Sequence, residues 1–122
     1  MENTIQDIER LKLEFQRCQK IFTALGDETR QYLLCMMLSG PCGGSRVVDL
    51  AARTNLSRPA ISHHMQILKD AGIVQSRKEG TLIYYYLDPQ DGEIEEMIRL
   101  FTDIQRIMKH APDRSESGAN TE

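Results

Sequence analysis

The sequence predicts a mainly α fold carrying one β-hairpin, and three observations lead there. Apolar residues recur at steps of three and four through most of the chain. Two runs rich in β-branched and aromatic residues, IVQSRK (73–78) and TLIYYYL (81–87), flank Glu79-Gly80, a turn signal. Capping residues and glycine stops divide the remainder into helix-sized pieces.

The elements follow in order. Residues 5–25 predict one helix, with Ile8, Leu11, Phe15, Cys18, Phe22 and Leu25 on a heptad-like seam and a break at Gly26. Asp27 predicts the N-cap of a second helix, about 28–39, whose apolar face is Leu33, Leu34, Met37 and Leu38. GPCGG (40–44) stops it. Ser45 is read as the cap of a third helix, 46–54, which Asn55 ends in a left-handed conformation. Ser57 caps a fourth, 58–71, with Pro59 tolerated in its first turn and Gly72 closing it. After the hairpin, LDPQDG (87–92) connects to a last helix, 93–110, striped by Ile94, Met97, Ile98, Phe101, Ile104 and Met108. Residues 1–110 form one domain, and 111–122, with almost nothing to bury, are expected to be a disordered tail.

Composition narrows the class. With 40% hydrophobic and 27% charged residues the chain reads as soluble and globular, and charges interrupt every apolar stretch. The acidic start MENTIQDIER lacks the pattern of a secretory signal, and three sparse cysteines suit a reducing compartment; a cytoplasmic location is expected. The net charge of −3 hides an uneven distribution. Residues 45–80 carry Arg46, Arg53, Arg58, Lys69, Arg77 and Lys78 against only Asp49, Asp70 and Glu79, while the flanks are acidic. A basic middle suits a surface for nucleic acid.

That middle contains a helix-turn-helix, VVDLAARTNLSRPAISHHMQIL (47–68). Ala51 is small where two helices cross, and Leu56 and Ile61 lock them together. On a helical wheel Ile61, Met65 and Leu68 face the core, and Pro59, Ser62, His63 and Gln66 face outward. Ser, His and Gln can exchange hydrogen bonds with base edges in a major groove. Arg58, at the first turn, is better placed for phosphate. Arg77 and Lys78 before the hairpin tip, and Thr81 after it, make a wing able to grip backbone or minor groove beside that helix. No nucleophile–base set or phosphate loop is visible, so an enzyme is not expected, and no cofactor is implied.

FTALGDETR (22–30) and VVDLAARTNLSRPAISHHMQILKDAGIVQSRKEGTLIYYYL (47–87) closely resemble the ArsR/SmtB bacterial repressors. The resemblance implies a winged helix-turn-helix that dimerises through its first and last helices. It implies binding to double-stranded DNA at a palindromic operator, released by an inducer, with Arg58, Pro59, Ser62 and His63 facing the groove. The inducer is where this sequence departs from the pattern. Many relatives bind metal through E-L-C-V-C-D-L in the third helix; here Arg46 and Val48 stand at the thiolate positions, and neither binds a soft metal. A second family site on the last helix finds only Asp103 and His110, so no metal is expected. Cys35 matches one cysteine of the family's persulfide sensors, whose partner on the last helix is missing. Cys35 and Cys18 read as buried thiols, Cys42 as exposed. Two other readings remain: a winged-helix module that recruits a protein partner, and a thiol-based regulator using Cys42 or Cys35.

Overall fold

A computed structural model describes residues 5–88, 90 and 92–110. The expected tail, 111–122, lies outside them. The order is α1 (Ile5–Arg17), α2 (Gln19–Leu25), α3 (Glu28–Leu38), α4 (Val47–Ala52), α5 (Arg58–Asp70), β1 (Gln75–Glu79), β2 (Leu82–Tyr86) and α6 (Gly92–His110). The predicted mainly α fold with one hairpin is the one observed, and β1 and β2 pair antiparallel from Gln75 opposite Tyr86 to Glu79 opposite Leu82. Gly80, with φ +65°, makes the tip.

The core forms where α2, α3, α4 and α5 converge. Ile21, Leu33, Leu50, Ile61, Met65 and Leu68 are fully buried, and α6 adds Leu100. Two predicted caps hold: Asp27 accepts from the Arg30 amide at 3.1 Å and Ser57 from the Ala60 amide at 3.2 Å. Gly72 closes α5 at φ +82°. Behind it the amides of Ile73 and Val74 donate to Leu68 O, so these two residues finish the helix end and the strand begins at Gln75.

Several expectations need correction. The single helix 5–25 is two, broken at Cys18, whose amide is shared between Glu14 O and Phe15 O at 3.2 and 3.1 Å. Ser45 does not cap α4; it is buried and pairs with Tyr85 of β2, amide to carbonyl in both directions at 2.9 Å. Asp49 takes over at the helix start, accepting from the Arg46 amide at 3.2 Å. Asn55 is not left-handed. The Thr54 hydroxyl makes that turn instead, donating to Leu50 O at 2.9 Å and accepting from the Leu56 amide at 3.2 Å. Leu38 and Cys35 are exposed, since Leu33 and Met37 are the apolar residues of α3 that turn fully inward.

The ends of the domain meet through polar side chains. Asp7 and Glu14 are buried on the side of α1 that faces α6. Arg10 bonds Asp7 at 3.0 Å and approaches Asp103 at 3.6 Å, and Arg106 reaches Asp103 at 3.6 Å. Burial first, and then the neighbouring Asp103 carboxylate, push the Glu14 carboxyl above its ordinary range. Much of the apolar surface of the same helices points away. Ile8, Phe15, Ile94, Ile98, Phe101 and Met108 are all exposed. α6 therefore has two faces: Met97, Leu100 and Ile104 pack on the core, and Ile94, Ile98, Phe101 and Met108 do not.

One buried cation joins three helices. Arg30 of α3 is 8% exposed. Its Nε donates to Ala24 O at 2.7 Å and its Nη2 to Thr23 O at 3.2 Å, satisfying carbonyls at the end of α2. Its Nη1 lies 3.2 Å from Nδ1 of His64 on α5. A guanidinium only donates, so Nδ1 accepts and the imidazole is neutral. Burial lowers the His64 pKa from 6.5, the charges of Arg30 and His63 lower it further, and Asp27 opposes them. The unfolded chain thus takes up this proton more readily than the folded one. Stability should fall as the pH drops below about 6.5 and recover above it. His64→Asn keeps an acceptor without titrating. Urea midpoints of both proteins between pH 8 and pH 5 should diverge on the acid side, with the wild type losing more. Parallel curves would remove His64 from the account.

Candidate nucleic-acid interface

α5 is mounted so that one face has no freedom and the other is open. Ile61, Met65 and Leu68 are each 0% exposed and lock the helix into the core. Ala51 and Leu56 pack at the crossing with α4, as the helix-turn-helix reading requires. His64, on the flank, is held by Arg30. The opposite side faces outward: Arg58, Pro59, Ser62, His63 and Gln66 are all exposed. Ser62 and His63 stand one turn into the helix. Gln66 is a turn further on and donates to Asp70 at 2.9 Å, so its amide already has a partner on its own helix.

A helix whose N-terminal half presents small polar groups and no bulky apolar ones can enter a major groove. The first-turn amides and Arg58 add positive potential at the same end. The Ser57 cap fixes where that end begins, and Pro59 sits in the first turn, where its missing N–H costs nothing.

The wing lies next along the chain. Lys78 and Thr81 are exposed at either side of the Gly80 tip. Arg77 is exposed too, yet its guanidinium is engaged. Nε donates to Glu79 at 2.8 Å, Nη1 donates to Gly43 O, and the group lies over the rings of Tyr84 and Tyr86 at 4.9 and 5.9 Å. The tyrosines alternate across the strand. Tyr84 and Tyr86 share the outer face with Arg77, while Tyr85 packs against the core. Leu82 and Ile83 are also exposed near the tip.

Sequence reasoning brought together Ser62, His63, Lys78 and Thr81, which the structure places on open surface. It missed Arg30 and the engagement of Arg77. Their partners, His64 and Gly43, lie 34 residues away in each case, and local pattern carries no signal at that range.

Other sites have less to work with. Among the described residues no group of three or more His, Cys, Asp or Glu is gathered to hold a metal ion. Asp103 is in the Arg10–Arg106 network, and His110 Nδ1 lies 3.0 Å from Arg106 O. Burial, with nearby Glu96, Glu14 and Glu93, raises the Cys18 pKa and keeps it a thiol. Cys35 and Cys42 are exposed. Among the described residues no helix is long and apolar enough to cross a membrane.

Known proteins share this arrangement. Residues 27–76, from the cap of α3 into β1, match the arsR family of bacterial regulatory proteins. An uncharacterized HTH-type transcriptional regulator of Methanocaldococcus jannaschii is 37% identical over 91 residues, which span 75% of this chain and 98% of that one. The transcriptional repressor SdpR of Bacillus subtilis is 37% identical over 68 residues, 56% of this chain and 72% of that one. The fold matches the solution structure of Mb0332 from Mycobacterium bovis, a homodimeric winged helix-turn-helix DNA-binding domain. That match has a TM-score of 0.55 at 22% identity and covers 93% of this chain and 99% of that one. Both of the relatives at 37% identity are transcriptional regulators. The chain is a winged helix-turn-helix protein and belongs to the arsR family of DNA-binding transcriptional regulators.

Proposed function

We propose that this regulator is a homodimeric repressor that holds a palindromic operator in the cytoplasm and leaves it when an inducer binds. The observation that carries the reading is the division of α5 into a locked inner face and an open polar one, beside a wing with Lys78 at its tip. Ser62 and His63 read base edges, with Pro59 in van der Waals reach of the groove. Arg58, Lys78 and Thr81 hold phosphate or sugar, and Gln66 contributes at the groove's edge if it leaves Asp70. SdpR, a repressor, supports the sign of the regulation.

Two classes of contact should fail differently. Ser62→Ala and His63→Ala should lose discrimination between operator and random DNA, by roughly 1–3 kcal/mol per lost base contact, with the salt slope kept. Lys78→Ala should weaken both DNAs alike and flatten the slope of log K against log salt by about 0.9. Titrations against the protein's own promoter region and against random DNA at several salt concentrations measure both. The roles are reversed if Lys78→Ala costs specificity and the helix variants lose only salt-dependent affinity.

The homodimer is supported by the apolar strip that α1 and α6 leave uncovered, and by the homodimeric state of Mb0332. Ile98 and Phe101 are 59% and 52% exposed, so a single copy can hold a charge at either position. A paired copy would bury it unpaired. Ile98→Glu and Phe101→Glu should therefore sediment as folded monomers and lose most of their operator affinity. A wild-type chain that sediments as a monomer at micromolar concentration would overturn the dimer.

A further inference from the structure

We propose that Arg77 is a positioning residue, which straps the wing to the body so that Lys78 and Thr81 meet DNA, and that it does not itself spend its charge on phosphate. The inference rests on the DNA-binding reading for its function, and on geometry for its mechanism.

The wing has more than two strands' worth of backbone. Beside β2, on the edge away from β1, Ser45 exchanges both of its backbone hydrogen bonds with Tyr85 at 2.9 Å. The preceding loop is pressed close: a Cβ built on Gly44, which sits at φ +109°, would come within 2.8 Å of Tyr85 O. The segment 43–45 is thus a short third line of backbone, with β2 in the middle.

Arg77 crosses all three. It starts on β1, opposite Tyr84. Its guanidinium lies over the rings of Tyr84 and Tyr86 on β2 and ends on the carbonyl of Gly43. Glu79, two residues along β1, holds the Nε at 2.8 Å and offsets the charge. A planar group with donors on several edges can lie flat on two rings and donate in two directions at once. An ammonium cannot. Lys78 is the contrast: exposed, on the opposite face of β1, with no hydrogen bond or ion pair among the described residues. The two adjacent cations of the wing therefore have separate duties.

The experiment compares Arg77→Ala, Arg77→Lys and Lys78→Ala in the full chain. Without DNA, amide exchange at Ser45 and Tyr85 should speed up about tenfold in both Arg77 variants, the equivalent of one lost hydrogen bond, and stay put in Lys78→Ala. On promoter DNA, both Arg77 variants should bind several-fold more weakly with the wild-type salt slope, because no phosphate contact is lost. Lys78→Ala should flatten the slope by about 0.9. The proposal fails if Arg77→Lys matches the wild type in both measurements. It also fails if Arg77→Ala flattens the slope while leaving the two amides protected, which is the signature of a direct phosphate contact. Should Arg77→Ala not fold, Tyr84→Leu removes the ring beneath the guanidinium and should free the same two amides; if they stay protected, the strap is not what holds them. A wild-type chain that binds no DNA would end the regulatory reading, while the exchange arm would still decide what Arg77 holds.

Discussion

The Arg30 guanidinium sits where α2, α3 and α5 meet, and the placement of the DNA-facing helix depends on it. A buried charge is costly unless its donors are used, and here they end on Ala24 O, Thr23 O and the Nδ1 of His64. The first two tie α3 to the end of α2. The third ties it to α5, one residue from the outward His63. Apolar packing by Ile61, Met65 and Leu68 sets how deep α5 lies, but it is non-directional and leaves sliding and rotation to be fixed. A hydrogen bond to a flank residue supplies that direction.

The two end helices follow a different rule. A domain of this size has one small core, and α1 and α6 carry more apolar surface than that core can cover. Within one copy they join through Asp7, Arg10, Asp103 and Arg106, which leaves Phe15, Ile98 and Phe101 free for another surface. Phe22 connects the two regions. Its ring stacks on Phe15 at 6.0 Å and meets Phe101 edge-on at 6.2 Å, while its body packs on the core. A change in the α1–α6 surface therefore has a packed route toward α2, and through Arg30 toward α5.

What the sequence made legible was whatever is decided locally. The inner face of α5 followed from 3.6-residue periodicity, and the caps at Asp27 and Ser57 from residue type just ahead of a helix. The hairpin followed from Glu79-Gly80 between two β-prone runs. The outward set Ser62 and His63 came from the same wheel as the core set, which is why the candidate site could be read at all. What was not legible was settled by distant partners. Ser45 is a good N-cap by type, but Tyr85 claims its backbone. Asn55 is a good turn residue, but Thr54 already bonds both sides of that turn. On the last helix, periodicity showed a stripe without showing which part of it the core would take: Met97 and Ile104 pack on the core, Ile98 and Phe101 do not, and Leu100, outside that stripe, is the fully buried residue.

The two arginine attachments that pattern reading missed lie at either side of one helix. Arg30 belongs to the first turn of α3 and reaches α5. Gly43, which receives Arg77, belongs to the loop that leaves the last turn of α3 and runs beside β2. The first turn of α3 thus holds α5, and the loop that follows its last turn holds the wing. Both attachments are directional polar contacts, which tolerate little displacement before they break. The apolar contacts under them would survive the same movement with modest loss. The relative placement of α5 and the wing therefore rests on two polar attachments at opposite sides of α3, besides the apolar core.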